Sequence, residues 1–179
     1  MPLLLDGRLQ LNYLIAVAFR QRFGLIINSR ASARPSPMSY VRIWVHTVFS
    51  TRNREPNLTF EVRQKLFAHI RENCRAKGIF VEAIGGYSDH VHILISLGRA
   101  QDIAKVMMLI KGESAHWLNK QGFIRGKFYW QDDYYAVSVS ESKLAEVRAY
   151  ISNQEKHHKS VPFENEVRSF ERVVAGRWG

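Results

Sequence analysis

Two short stretches of this chain carry side chains that could do chemistry together. His90 and His92 form a His-x-His motif inside the apolar run HVHILISL. Tyr150 and Gln154 stand four residues apart in the stretch YISNQ. Imidazole and amide groups can bind a divalent cation, and a phenol can act as a nucleophile. These residue types predict a metal-assisted nucleophilic site, provided that the fold brings the two stretches together.

The apolar run around the His-x-His motif predicts a buried strand. Side chains alternate across a strand, so His90 and His92 share one face while Val91 and Ile93 occupy the other. Two imidazoles about 7 Å apart along a strand can converge on one cation. The same pattern also fits two histidines that only pack or form hydrogen bonds in a core.

Tyr150 and Gln154 lie in a segment with helical spacing, so they share one face of the predicted helix. The spacing alone also fits a tyrosine half-buried against a sheet beside a solvated glutamine. A tyrosine nucleophile needs help, because the reference pKa of a phenol is about 10 and a nearby cation favours the phenolate. His157 and His158 extend the motif. His157 could reach the site or a nucleic acid, although its position favours a surface role.

The charge of the chain points to a polyanionic partner. It has 26 basic and 16 acidic residues and a net charge of +10, and such a positive field favours nucleic acid. The single Cys74 excludes an internal disulfide and a multi-thiolate zinc site. Its place on the apolar stripe of a predicted helix indicates an inert thiol. A reducing compartment fits this cysteine content, and we expect a cytoplasmic, nucleoid-associated protein.

Residues 1–37 differ in composition from the rest. They contain five arginines, one acidic residue and the Ser/Ala/Pro-rich stretch SRASARPSP. Their longest apolar run, LNYLIAVAF, is too short to span a bilayer, so no membrane partner is expected. We predict a disordered leader or a mis-assigned N-terminal extension over residues 1–37 and one domain over residues 38–179.

The remaining residues predict seven main elements in the order β-α-β-β-α-β-α, with a short last helix at 163–174. This order fits an α+β fold of the ferredoxin-like or RRM-like type, a four-stranded antiparallel sheet with helices. The first and third strands are then central, and a C-terminal helix carries the tyrosine. The predicted strands span residues 40–49, 79–84, 90–97 and 134–140, and the predicted helices span residues 57–77, 103–120 and 144–157.

Several stretches together resemble the single-tyrosine, His-hydrophobic-His transposases of the IS200/IS605 type, including the REP-associated tyrosine transposases. The matching stretches are WVHTVFSTRNREP, GGYSDHVHILISL, IKGESAHWLN, FYWQDDYYAVSVS and YISNQEKHH. They follow one another in this order over most of the chain after residue 37. From these stretches, the chain resembles that family over most of its length after residue 37.

The resemblance implies a DNA transposase that cleaves single-stranded DNA with the help of a metal. By resemblance, His90, His92 and Gln154 hold Mg²⁺ or Mn²⁺ at the scissile phosphate. Tyr150 attacks the phosphorus, leaving a free 3′-OH and a 5′-phosphotyrosine link that a second 3′-OH later attacks. The resemblance also implies a homodimer and single-stranded DNA hairpins at the ends of a mobile element as substrate.

Basic and aromatic side chains outside the two motifs are candidates for DNA contacts. Trp130, Tyr134 and Tyr135 could stack on bases, although aromatic residues of strands more often fill a core. The basic candidates for contacts with the DNA backbone, each of which also fits an ordinary solvated charge, are Arg52, Arg54, Lys105, Lys111, Arg125 and Lys127.

Two other functions remain open on the residues alone. A non-catalytic, RRM-like module that binds single-stranded nucleic acid explains the fold and the charge but not the two motifs. A zinc hydrolase using His90 and His92 would need a third His or carboxylate ligand. The nearest acid, Asp89, is expected to point to the opposite side if the strand begins there.

Overall fold

The computed structural model of the protein describes residues 41–158. The predicted last helix at 163–174 and the predicted boundary at residue 37 lie outside these residues. Within the described part, no helix is both long enough and apolar enough to cross a membrane. The strands are β1 (Ile43–Ser50), β2 (Phe80–Gly86), β3 (His90–Leu97) and β4 (Tyr135–Val139), and the helices are α1 (Phe60–Ala76), α2 (Ile103–Gln121), α3 (Leu144–Ser152) and α4 (Gln154–His157).

The four strands form one antiparallel sheet in the order β2-β3-β1-β4. Strands β1 and β3 are therefore central, as the sequence predicts. Their register pairs Ser50 with His90 and Val48 with His92. The His-x-His motif thus lies on an inner strand, hydrogen-bonded on both sides, where its backbone position is well determined. The ferredoxin-like prediction is confirmed.

Helices α1 and α2 cover one face of the sheet. Helix α1 begins at Phe60 because the Thr59 side chain accepts a hydrogen bond from the Val62 N–H and caps the helix. Its buried stripe packs against the odd-numbered apolar residues of β3, among them Val91 and Ile93. Burial of this apolar surface supplies most of the driving force for folding. The stripe consists of Val62, Leu66, Ile70 and Cys74.

Helix α3 packs on the opposite face of the sheet. Leu144 and Ile151 are buried there against Ala83 and Leu94. The single helix predicted over residues 144–157 is wrong in one respect, because the helix breaks at Asn153 (φ −98°, ψ 9°). Asparagine is a poor helix former, and the N–H of Asn153 closes the last turn on the carbonyls of Ala149 and Tyr150. The short α4 then starts at Gln154.

Candidate metal and nucleophile site

His90 and His92 point to the face of the sheet that α3 covers. Both side chains are completely buried, on the same side of β3 as Leu94, whereas Val91 and Ile93 belong to the core under α1 and α2. Their ring centroids are 5.0 Å apart. The predicted orientation of the two imidazoles is therefore confirmed.

The Nδ1 atom of each of these histidines contacts a defined partner. His90 Nδ1 lies 2.7 Å from Asp89 Oδ1, and His92 Nδ1 lies 3.1 Å from His46 Nε2. The expectation that Asp89 points away is wrong. Asp89 precedes the strand in a turn closed by the Tyr87 N–H on the His90 carbonyl, so strand alternation does not fix its direction. In each ring Nε2 is then the nitrogen that could bind a metal.

His46 is a site residue that the sequence analysis misses. It lies on β1, is 6% exposed and stacks on His92 with 5.2 Å between ring centroids. Burial lowers the pKa of His46 to about 4, so its imidazole is neutral near pH 7. Its signal in the sequence is an imidazole at an inward position of a mostly apolar strand.

Gln154 and Tyr150 complete the group from the side of the helices. Gln154 is only 1% exposed, so the interpretation as a solvated glutamine is wrong. Among the described residues, neither polar atom of its amide forms a hydrogen bond of good geometry, although its side chain lies beside His90. Tyr150 is half-buried, and its ring meets those of His92 and His46 edge-on at centroid distances of 5.7 and 6.2 Å.

A third histidine reaches the same place. The ligand nitrogens of His90, His92 and His158 all lie within 4.8 Å of one another. The His158 ring stands edge-on to His90 at 4.5 Å between centroids. From the sequence, His158 is predicted only to extend the motif. Three converging imidazoles and a buried amide without a good hydrogen bond fit a divalent metal ion.

The electrostatics of the site keep His90 in the form that binds metal. Burial lowers the pKa of His90, and the charge of Arg63 lowers it further. The hydrogen bond and charge of Asp89 and the contact with Gln154 act in the opposite direction without cancelling the effect of burial. A neutral imidazole offers a lone pair to a cation, which a protonated one cannot do.

Two features hold α3 and α4 over the histidines. Gly85, which pairs with His92, lets the backbone of Ile151 approach β2 so closely that no Cβ would fit between them. Arg63 is 4% exposed, donates to the Leu58 carbonyl at 2.6 Å and forms an ion pair with Glu155 of α4 at 2.7 Å. Helix α4 is thereby tied to α1.

Two of the basic candidates for DNA contacts lie together on the surface. The guanidinium of Arg52 and the ammonium of Lys127 lie over the ring of Tyr129, at 4.3 and 5.1 Å from its centroid. We call these three exposed residues the Tyr129 patch. Its Arg52 directly follows Thr51, whose N–H donates to the Asp89 carbonyl. The patch therefore adjoins the turn that leads into the His-x-His motif.

The other candidates are placed differently. Lys111 is half-buried and donates to the carbonyls of Asp132 and Asp133, so part of its role is structural. Trp130 is 5% exposed and packs in the core, and the interpretation that it stacks on bases is wrong. Tyr134 and Tyr135 are half-buried, and the exposed basic candidates outside the patch are Arg54, Lys105 and Arg125.

The sequence is similar to those of known transposases. A family model described as "Transposase IS200 like" matches residues 39–154. The ISDra2 transposase TnpA of Deinococcus radiodurans is 27% identical over 114 residues, which cover 61% of this chain and 81% of that protein.

Two solved structures have a similar fold. A candidate transposase from Deinococcus radiodurans has a TM-score of 0.51 and 25% sequence identity, covering 68% of this chain and 97% of that one. The structure of a REP-associated tyrosine transposase bound to a REP hairpin has a TM-score of 0.53 and 18% identity, covering 72% of this chain and 76% of that one. At this low identity, the second likeness supports the fold alone.

Proposed function

Because the chain belongs to the IS200-like transposase family, we propose that it cleaves and rejoins single-stranded DNA through Tyr150, with a divalent metal ion in the histidine cluster. The observation that carries this proposal is the convergence of the two motifs. The imidazoles of His90, His92 and His158, the amide of Gln154 and the phenol of Tyr150 meet on one face of the sheet.

The imidazole nitrogens and the Gln154 amide oxygen would hold the ion, for which Mg²⁺ and Mn²⁺ are our candidates. When bound, the ion polarises a phosphoryl oxygen and stabilises the charge that develops in the transition state. Asp89 keeps the His90 ring oriented through a hydrogen bond at the Nδ1 atom of His90. The burial of the cluster excludes competing water and strengthens these interactions.

Tyr150 serves as the nucleophile. Its phenolic oxygen forms a bond to phosphorus, the bond from phosphorus to the 3′ oxygen breaks, and the phenolic proton is balanced by the proton that the 3′ oxygen takes up. The products are a free 3′-OH and a 5′-phosphotyrosine link. A second 3′-OH reverses the exchange, so strands are rejoined without an external energy source. Covalent catalysis of this kind splits one difficult step into two easier ones.

The substrate proposed here is a single-stranded DNA hairpin at the end of a mobile element in the cytoplasm. Two observations support this choice: the net charge of +10 and the Tyr129 patch, which combines an exposed aromatic ring with two cations. Such a combination suits unpaired bases and their phosphates. The similar fold of a transposase bound to a REP hairpin is consistent with this substrate.

We further propose a homodimer, as the family resemblance implies. The described residues place Tyr150 beside the histidines of the same chain, which favours a site built within one subunit. Mixing Tyr150→Phe with His90→Ala protein tests this arrangement. Mixed dimers stay inactive if each site belongs to one chain and regain activity if the tyrosine helix is exchanged.

A covalent-adduct assay tests the proposed function. Oligonucleotides with a hairpin and a randomised single-stranded flank, labelled at the 3′ end, are incubated with the full chain and Mg²⁺ or Mn²⁺. We expect a labelled protein band that survives denaturing electrophoresis and disappears with EDTA or in Tyr150→Phe. Binding without an adduct would favour the RRM-like module, and cleavage without an adduct would favour a metal hydrolase. An adduct that persists in Tyr150→Phe would rule out this nucleophile.

A further inference from the structure

We propose that His46 is a positioning residue that acts on two parts of the site at once, orienting the metal ligand His92 through a hydrogen bond and seating the Tyr150 ring through a stacked pair of imidazoles. This inference rests on the proposed function for the role of Tyr150. The proposed effect of His46 on His92 requires only that the site binds a metal, whether or not Tyr150 is the nucleophile.

The hydrogen bond between the two imidazoles selects one tautomer of His92. His46 Nε2 and His92 Nδ1 are 3.1 Å apart, so a single proton lies between them. If that proton is on His92 Nδ1, then His92 Nε2 carries a lone pair that faces the cluster. If His46 donates instead, a neutral His92 has its proton on Nε2 and cannot bind a metal. An acceptor at position 46 therefore favours the form of His92 that binds metal.

The stacked pair also forms one wall for the nucleophile. The planes of His46 and His92 are inclined by only 21° at 5.2 Å between centroids. The Tyr150 ring stands almost perpendicular to both, at 82° to His46 and 88° to His92. Edge-to-face contacts at these distances are favourable. The position of the phenol therefore depends on the ring at position 46 as well as on the ligand.

The surrounding fold makes His46 a rigid support. It lies on the central strand β1, opposite Leu94 of β3 and Val137 of β4, and it is 6% exposed. His90 receives the equivalent support from the carboxylate of Asp89 at 2.7 Å. The two metal ligands thus have different partners, one carboxylate and one imidazole, and only the imidazole also contacts the nucleophile.

Two substitutions separate the two effects of His46. His46→Gln keeps an acceptor near the position of Nε2 but removes the ring. His46→Phe keeps a ring but removes the acceptor. Thr47→Val is the matched control, because Thr47 is buried on the same strand, points to the other face and loses one hydrogen bond to the Ile93 carbonyl.

Three quantities are measured. The first is the Mn²⁺ affinity of the full chain without DNA, for which electron paramagnetic resonance quantifies the free ion. The other two are the rate of adduct formation at saturating Mn²⁺ and the melting temperature. We expect His46→Phe to weaken Mn²⁺ binding by about 10- to 100-fold while the rate at saturating Mn²⁺ stays near that of the unchanged protein. We expect His46→Gln to bind Mn²⁺ within a few-fold of normal and to form the adduct about tenfold more slowly. Thr47→Val should lower only the melting temperature.

Unchanged Mn²⁺ affinity in His46→Phe would overturn the proposal. The proposal would also be overturned if Mn²⁺ affinity and the rate of adduct formation fell in all three variants, Thr47→Val included, in proportion to the fall in melting temperature. Failure of the proposed function gives a different result, because the unchanged protein would then form no adduct with any oligonucleotide. In that event a weaker Mn²⁺ affinity in His46→Phe, but not in His46→Gln, would still support the role of His46 toward His92.

Discussion

The backbone of Gly85 lies against the carbonyl oxygen of Ile151, so closely that a Cβ on residue 85 would be 2.1 Å from that oxygen. Ile151 follows Tyr150 on α3, and Gly85 pairs with His92 in the sheet. The absence of a side chain at position 85 therefore sets how closely α3, which carries the proposed nucleophile, approaches β2, the strand beside the proposed ligands.

Gly85→Ala is expected to push α3 away from β2, because the atom that it would strike is backbone and cannot rotate aside. We expect adduct formation to fall at least tenfold, and overpacking of this kind costs about 1–3 kcal/mol of stability. The control is Gly112→Ala in α2, where a Cβ meets nothing within 4 Å and is expected to stabilise the helix by about 0.5–1 kcal/mol. Normal activity in Gly85→Ala would show that α3 does not need this close contact.

The ion pair between Arg63 and Glu155 is expected to stabilise α4 over the site. Glu155→Gln leaves the guanidinium, whose side chain is only 5% exposed, without its counter-charge, and we expect a loss of about 1–3 kcal/mol in urea unfolding. Glu146→Gln is the matched control, since the pair of Glu146 with Lys143 is exposed on both sides and contributes little to stability. Mn²⁺ affinity should fall in the first variant only, and equal unfolding midpoints would contradict this role.

His158 is expected to act as a metal ligand, since its ligand nitrogen lies within 4.8 Å of those of His90 and His92. His158→Ala removes one of the proposed donors, and we expect Mn²⁺ affinity to fall by about tenfold or more, as metal-site changes commonly do. Lys156→Ala, which changes an exposed residue of α4 just before His158, should leave the Mn²⁺ affinity unchanged. Equal Mn²⁺ binding in the two variants would exclude His158 from the ligand set.

The sequence predicts the parts of this site that depend on periodicity. Alternation along β3 gives the common face of His90 and His92. Tyr150 and Gln154 are predicted to share one helix face, but they lie on the separate helices α3 and α4. The sequence does not predict contacts that depend on neighbouring strands or on the turn before β3. His46 reaches His92 across the sheet, and Asp89 turns back on His90. The helix breaks at Asn153 before His158 reaches the cluster. A prediction based on one regular helical period does not include such a break.

Cys74 is expected to be inert in the folded protein and to make it sensitive to alkali. Burial raises the pKa of its thiol to about 11, with a smaller increase from Glu113 and an opposing effect of Lys77. The unfolded chain therefore loses this proton at a lower pH than the folded one. The free energy of unfolding is not reduced by this group below about pH 9, and it falls as the pH rises towards 11. We expect a loss of about 2 kcal/mol over this range.

Comparison with Cys74→Ala isolates the effect of this thiol from other groups that titrate in alkali. The unfolding free energy of the variant should fall less between pH 9 and 11 than that of the unchanged protein. At pH 8, Cys74 should react with a disulfide reagent only as fast as the protein unfolds, because the thiolate is the reactive form. Rapid labelling under native conditions would contradict the inert thiol.

Tyr129 and Trp130 are adjacent in the chain but should affect different properties. Tyr129 is exposed beneath two cations, and base stacking on such a ring contributes about 1–3 kcal/mol. Trp130 packs edge-on against Phe49 and Phe128, and its indole N–H donates to Ser114 Oγ. We expect Tyr129→Ala to weaken binding of single-stranded DNA about tenfold with little loss of stability, whereas Trp130→Ala should cost about 3–5 kcal/mol of folding free energy.

Fluorescence anisotropy with a labelled hairpin oligonucleotide and urea unfolding measure the two quantities separately. Arg52 and Lys127 of the Tyr129 patch are proposed to contact phosphates, so removing either cation should also reduce the dependence of affinity on salt. Tyr129→Ala changes no charge and should leave that dependence intact while lowering affinity at every salt concentration. The patch would not be the site of base stacking if Tyr129→Ala still bound the oligonucleotide tightly and a folded Trp130→Phe variant bound it weakly. That result would assign base stacking to Trp130 instead.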